Sequence, residues 1–430
     1  MNEFSIPPGA AVLFVDMNSF FASCEQQDNF YLRGRPVAVC VYTGQYGCVI
    51  APSIEAKKRG IKLGMRLNEA VRLCPELVPL TTTPDKYRDY HTKIMQILRR
   101  FSDQVIPRSI DEAIVILSNH RLIYHDLEPV ARAIKKAIHQ EVGDYLQCSI
   151  GIAPNAFLAK LGSDLIKPNG LTVISPGNID LILSQLELTD LPGIGHGMSQ
   201  RLQKAGIETP LQLRYADPEF LRAACRSIVG WHWHLRLNFY EVDTEYTSAY
   251  KSMQAMRQLS RSQRRSPEIL QQILFMLCQT LERRMVQQSV FCKTAHFWAK
   301  YEEGRTYQDD MQFQTPVQDG VALFNLVLKR AQTKAQWNHS SESLFNSGLV
   351  ALGIGVHQFI PDQLVQYQLF EDNVRKDKLR KVYYELRDKH GSRKVMRGAE
   401  VSENPPMQDV IGFGSVKDLY GRITPDWMSE

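Results

Sequence analysis

Apolar and polar positions along this 430-residue chain group into periods that predict strands and helices in turn. The run "AVLFVD" (11–16) is short, apolar and ends in an acid. "NSFFASCEQ" after it has helical character opened by an Asn or Ser of capping type, so strand, turn and helix are expected. "RPVAVCV" and "YGCVIAP" read as two strands separated by a turn at 42–45, followed by a helix in "SIEAKKRG" that Gly60 closes. This predicts a small, partly separate lobe reaching to about residue 80. Helices are expected over 84–101 and, basic and amphipathic, over 127–142. Residues 105–117 read as one or two strands and "QCSIGIAP" as another. Strands interleaved with helices across 11–153 predict an α/β or α+β sheet carrying acids on at least two strands.

Beyond residue 171 the pattern changes. "LTDLPGIGHGMSQRLQKAGI" predicts two short helices joined by a Pro/Gly-rich turn. Gly193, Gly195 and Gly197 do not make a dinucleotide fingerprint, because Pro192 precedes them and "LELTD" is a poor strand. Backbone N–H groups at such a turn suit a phosphate. Residues 241–250 form a polar linker, 333–346 are polar and expected to loop out, and the charged tail after 372, with "ENPP", reads as a partly ordered extension.

In "PRSIDEAIVIL" (107–117), Asp111 and Glu112 sit side by side in a run otherwise β-branched and apolar. A buried, unpaired carboxylate is costly, so the pair is either at an exposed strand end or held by a divalent cation. A hard cation such as Mg²⁺ needs further oxygen ligands, which the pair alone does not supply.

Composition narrows the class without deciding it. A content of 44% apolar and 23% charged residues is that of globular domains, and the length allows two to four of them. The net charge of +5 permits a polyanionic partner without demanding one. Its distribution is more telling. Between 246 and 300, Lys251, Arg257, Arg261, Arg264, Arg265, Arg283, Arg284, Lys293 and Lys300 face only Glu268 and Glu282, which suits a sugar–phosphate backbone or, equally, a solvated helix face. The eight cysteines show no CxxC spacing, so neither zinc nor a disulfide framework is expected, and "WHWH" (231–234) lacks a third ligand and reads as packing. With no signal-like N-terminus and no uncharged apolar run of about 18 residues, the expectation is a soluble cytoplasmic protein without a membrane partner.

Three stretches, "VLFVDMNSFFASCEQ", "RSIDEAIVIL" and "IGIAPNAFLAKLGSDLIKPNG", together resemble the palm of Y-family translesion DNA polymerases, and "LPGIGHGMSQRLQKAGI" resembles that family's thumb hairpin. The resemblance covers most of residues 10–370 in the family's order. It implies an α+β multidomain fold of right-hand type: palm at 10–30 and 81–170, fingers at 31–80, helical thumb with a helix-hairpin-helix at 171–242, an α/β little finger at 247–371 and a C-terminal extension at 372–430. Asp16 then matches the first metal-binding aspartate, Asp111 the second and Glu112 the acid beside it, with the Met17 carbonyl as a further ligand to two Mg²⁺ ions. Phe21 matches the steric gate beside Phe20, and Lys167 a lysine that reaches the triphosphate. Lys160 is a weaker candidate and Asp164 reads as a cap or solvated face.

In the fingers motif "GCVIAPSIEAKKRG", Ala51, Ile54 and Lys57 stand where the family often carries Thr, Tyr and Arg, which resembles the UmuC-type branch more than the DinB type. Lys57 keeps the charge without the planar fork of Arg. Arg108 stands in place of a frequent Tyr. The resemblance assigns Arg257, Arg261, Arg264 and Arg265 to DNA phosphates, and reads "QYQLF" as a sliding-clamp peptide anchored by Gln366, Leu369 and Phe370. The implied partners are primer–template DNA, deoxynucleoside triphosphates, a sliding clamp and accessory subunits. The implied setting is the DNA-damage (SOS) response in bacterial cytoplasm, at the nucleoid when engaged. Two other readings compete: a non-catalytic relative acting as a DNA- and clamp-binding adaptor, and a nucleotidyl cyclase, which leaves the hairpin and the basic segment unexplained.

Overall fold

The computed structural model describes residues 11–44, 47–120, 126–242, 251–337, 343–366, 373–390 and 394–398. They form two compact units, one within 11–242 and one within 251–398.

In the first unit, β1 (Val12–Met17) is buried along its whole length and leads into α1 (Phe20–Asp28). A three-stranded sheet follows, built from β2 (Val37–Cys40), β3 (Val49–Pro52) and β4 (Val78–Thr81) with the short helices α2 (Ile54–Lys58) and α3 (Leu67–Leu73), in the order β3-β2-β4. The chain then supplies α4 (Pro84–Leu98), β5 (Gln104–Pro107), β6 (Glu112–Ile116), α5 (Leu127–Ala137), β7 (Cys148–Ala153), α6 (Ala156–Leu165) and β8 (Leu171–Val173). These strands close a second sheet in the order β5-β6-β1-β7-β8, with β1 at its centre, antiparallel to both neighbours. A continuous apolar run therefore belongs here: β1 is flanked by strands on both sides, and its apolar side chains are buried.

Residues 105–117 resolve into two strands. A turn carries Asp111, so only Glu112 is in the strand; the N–H groups of Arg108 and Ser109 both point to the Glu112 carbonyl, at 2.8 and 3.2 Å. The basic helix ends as α-helix at Ala137 and runs on as one π turn, Ile138–Val142.

Gly151 of β7 marks the closest approach of helix to sheet. A Cβ there would lie 1.9 Å from the Ala159 carbonyl oxygen and 2.5 Å from the Ser163 nitrogen of α6. Gly151→Ala is expected to destabilise the first unit by about 3 kcal/mol or more, read as a lowered midpoint in urea, because backbone cannot move aside as a side chain would.

Helices α7 (Ile179–Leu183), α8 (His196–Lys204), α9 (Pro210–Tyr215), α10 (Pro218–Cys225) and α11 (Ile228–Leu237) complete the unit. Of the two helices expected around the Pro/Gly turn, only the second is an α-helix. The first is a single 3-10 turn, Leu188–Asp190, after which Gly193 takes φ 84°. Trp233 of "WHWH" is buried in a core that runs from Phe14 and Phe157 to Leu202.

The second unit contains β9 (Ser252–Gln258), α12 (Pro267–Gln287), β10 (Val290–Tyr301), β11 (Thr306–Val317), α13 (Gly320–Trp337), β12 (Leu349–Pro361) and α14 (Asn373–His390). Its antiparallel sheet runs β11-β10-β12-β9. The expected loop at 333–346 begins later than the pattern suggested, since α13 continues to Trp337. The expected linker at 243–250 lies outside the described residues. The extension expected from 372 starts instead as a docked helix of this unit. Glu282 of α12, fully buried, accepts the Gly320 N–H at 2.6 Å and is bound by Arg397, with Arg380 3.7 Å away. Helix α14 is thus inverted, burying Asp377, Arg380 and Tyr384 while exposing Leu379, Val382 and Leu386. Periodicity does not reveal this, because the buried stripe is the polar one.

Candidate active site

The pairing of β1 with β6 sets Asp16 directly opposite Glu112. The Met17 N–H donates to the Asp111 carbonyl at 2.9 Å, which ties the Asp111 turn to the end of β1. Asp16 and the adjacent pair Asp111 and Glu112, far apart in sequence, thereby border one cleft. Its volume is about 560 Å³, within the range of small-ligand sites. Met17, Phe20, Ala51, Ile54, Lys57 and Lys167 line it as well.

Two ammonium groups stand among the acids. Lys160 Nζ bridges Asp16 Oδ2 at 2.7 Å and Glu112 Oε1 at 2.6 Å, and Lys167 Nζ reaches Asp16 Oδ2 at 2.8 Å. Asp164 binds both lysines, at 3.2 and 2.8 Å. Lys160 and Asp164 are therefore part of the site, a role that helix-surface spacing did not disclose. Burial works against the Asp16 charge, and the two lysines outweigh it and lower its pKa. Asp111 makes no ion pair with a lysine among the described residues. Lost hydration, with Glu112 and Asp16 adding to it, pushes its carboxyl up to about 6 although Ser109 donates to it.

This donor set fits a hard cation. Asp16 and Glu112 already hold one positive group between them at 2.6–2.7 Å, and Asp111 beside them lacks one. Among the described residues no three acid, histidine or cysteine side chains stand as a ready-made metal cluster, because Asp111 is turned to Ser109 and Lys160 takes the shared position.

Lys57 lies across the cleft on α2. Its ammonium group makes no hydrogen bond or ion pair with the described residues; burial and Lys167 lower its pKa, against the pull of Asp16 and Asp111. Between β1 and α1 the chain turns at Ser19, which takes φ 49° and whose buried hydroxyl has no partner among the described residues. Asn18 accepts the Asn169 N–H at 2.7 Å and so secures the loop that carries Lys167. Of the two aromatics, Phe20 lines the cleft. Phe21 lies fully buried and stacked on Tyr87, with ring centroids 4.3 Å apart.

The arginines of the second unit divide. Arg264 is engaged within the unit, bound to Glu302 and to the Leu259 carbonyl. Arg257 is half-buried and shares a strand face with buried Met253 and Ala255, and burial lowers its pKa. Arg261 and Arg265 are exposed. Gln366 is exposed, while Leu369 and Phe370 lie outside the described residues.

This arrangement, a central antiparallel strand with acids at its end beside cationic groups and a small second sheet, belongs to a fold that solved Y-family DNA polymerases share. A Y-family DNA polymerase chimera superposes with TM-score 0.67 at 23% identity over 81% of this chain and 99% of its own. The insertion ternary complex of Dbh DNA polymerase does so with TM-score 0.55 at the same identity and coverage. The chain belongs to the impB/mucB/samB family, whose model matches residues 15–164 and whose C-terminal-domain model matches 250–369. It is 30% identical to DNA polymerase IV of Bacillus anthracis over 93% of this chain and 96% of that one. With DNA polymerase IV 1 of Bacillus subtilis it shares 29% over 96% and 99%. These names lend no support to the UmuC-type leaning of the fingers motif.

Proposed function

We infer that this protein is a template-directed DNA polymerase of the translesion type, which extends a primer 3′-OH with deoxynucleotides. The observation that carries this is the convergence of Asp16, Asp111 and Glu112 on one cleft opposite the unpaired Lys57. A triphosphate bound there would meet the ammonium groups of Lys57 and Lys167, and the three acids, with the Met17 carbonyl, would hold the divalent cations, which we assign as two Mg²⁺. Cations held there would supply a lowered pKa for the primer hydroxyl and positive charge against that developing on the pyrophosphate. The protein's own share is position: the β1–β6 register places Asp16 against Glu112, and the Ser109 turn presents Asp111 beside them. Lys160 and Lys167 keep Asp16 ionised.

Arg257, Arg261 and Arg265 serve phosphates without reading sequence, as a polymerase requires. The motif "QYQLF", ending at Phe370, is assigned to a sliding clamp, and accessory subunits belong to the same proposal. Among the described residues no helix is long and apolar enough to cross a membrane.

Primer extension on undamaged and then lesion-containing templates, with Mg²⁺ and the four deoxynucleotides, tests this reading. Primer–template binding without extension under any condition overturns it in favour of an adaptor. Phe21 supports the wall formed by Phe20 and is assigned to sugar discrimination. Phe21→Val is expected to raise ribonucleotide relative to deoxyribonucleotide incorporation by roughly a hundredfold, the scale on which a pocket rejects one added hydroxyl. Single-nucleotide incorporation with each sugar checks it, and an unchanged ratio removes Phe21 from the role.

A further inference from the structure

The helix that presents Lys57 to the cleft has only five residues, too few to hold an orientation by its own hydrogen bonds. What holds it is a set of contacts on its far side. Residues two apart on a helix point to nearly opposite sides, so Glu55 faces away from Lys57. Glu55 accepts the Tyr145 hydroxyl at 2.7 Å and the Gln26 amide at 3.1 Å. Both donors belong to segments packed on the catalytic sheet. Gln26 is buried on α1, the helix that begins four residues after Asp16, and also donates to the Arg35 carbonyl at 3.1 Å. Tyr145 lies three residues before Cys148, whose strand partner is Met17.

Tyr145 is itself fixed from several directions. Its hydroxyl accepts the Gly34 N–H at 2.9 Å, its own N–H donates to Gln27 at 2.7 Å, and the Arg33 guanidinium covers its ring at 5.2 Å. Arg33 is held in turn by both oxygens of Asp144, at 3.0 and 2.8 Å. Glu55 stays ionised in this setting: burial opposes its charge, and the hydrogen bonds from Gln26 and Tyr145 outweigh it and lower its pKa.

We propose that Tyr145 and Glu55 are positioning residues that couple the fingers helix to the catalytic sheet and so set Lys57 at the distance the nucleotide's phosphates require. This deepens the polymerase reading and rests on it. Neither residue touches the cleft; each acts through α2. A Lys at this position needs such a brace more than an Arg, because a point charge on a flexible stem lacks the planar fork that would orient itself on phosphate.

The test is an equilibrium titration of the complementary dNTP onto the intact chain bound to a chain-terminated primer–template with a fluorescent template base. Tyr145→Phe and Glu55→Ala are each expected to weaken nucleotide binding about tenfold, the scale of one hydrogen bond to a charged group. On a Lys57→Ala background either substitution is expected to change it less than about twofold, because the group they position is gone. Effects that multiply undiminished on that background, or a parallel loss of primer–template affinity, overturn the proposal and leave these residues a purely structural role. Should Tyr145→Phe and Glu55→Ala melt far below the parent, Glu55→Gln keeps the shape and serves in their place. If the parent binds no nucleotide, the polymerase reading fails. Amide exchange at Ala56 and Lys57 then still decides the coupling: faster exchange in Tyr145→Phe supports it, and unchanged exchange rejects it.

Discussion

Asp111→Ala and Glu112→Ala are each expected to reduce nucleotide incorporation by at least about a thousandfold while leaving primer–template affinity within about twofold. Both side chains border the cleft at the end of the central strand pair, and neither contributes to the sheet's apolar core. Loss of either removes an oxygen donor that nothing nearby replaces, since Asp164 is already engaged by Lys160 and Lys167. Asp111→Ala is expected to be at least as stable as the parent in EDTA, because it removes a carboxyl that burial and the two neighbouring acids disfavour, whereas Glu112→Ala also takes a partner from Lys160. Incorporation and thermal melting measured side by side therefore separate lost chemistry from lost folding. A variant that retains more than about a tenth of the activity removes that residue from the catalytic set.

The second large effect is in the other unit. Glu282→Ala is expected to destabilise it by about 3–5 kcal/mol, the cost of leaving buried opposite charge uncompensated. Arg380 retains Asp377 at 2.6 Å and Asp319 at 3.0 Å, whereas Arg397 keeps, among the described residues, the uncharged Gln279 at 2.6 Å and the rings of Tyr383 and Tyr384. The Gly320 N–H at the start of α13 loses its acceptor entirely. Urea unfolding of the full chain, with amide exchange along α14, reads the result. Loss of protection in α14 ahead of the sheet is expected. Glu282→Gln, which keeps an acceptor for Gly320 but not the charge, should fall between the two. Unchanged protection in α14 would mean that its packing, not this acid, holds it in place.

The legible part of the active site was the part with a local signature. An apolar strand that ends in Asp16, and two adjacent acids beside a β-branched run, are visible because period and charge are properties of neighbouring residues. The fingers helix after Ser53 was legible for the same reason, with a capping hydroxyl that accepts the Ala56 N–H at 3.2 Å. Lys160 and Asp164 were harder to place. A Lys and an Asp four apart on a helix look like any solvated pair, and only the fold of α6 against β1 turns them toward Asp16. The Arg264 ion pair with Glu302 was not legible either, since a clustered arginine carries no sequence mark of its partner.

The sequence by itself determined most of the strands and helices between residues 11 and 153, that acids lie on more than one of those strands, and that positive charge concentrates between 246 and 300. Those outcomes follow from side-chain period, capping and composition, all of which act over a few residues. Tertiary structure alone decided that Asp16 faces Glu112, that Lys160 stands between them, that Tyr145 braces a helix some ninety positions before it, and that α14 buries its charges and exposes its leucines. The physical reason is one of range. Strand register and the pairing of buried charges are settled by contacts between segments far apart in the chain, where the free energy of excluding water and matching charge is decided by the whole assembly and by no local pattern.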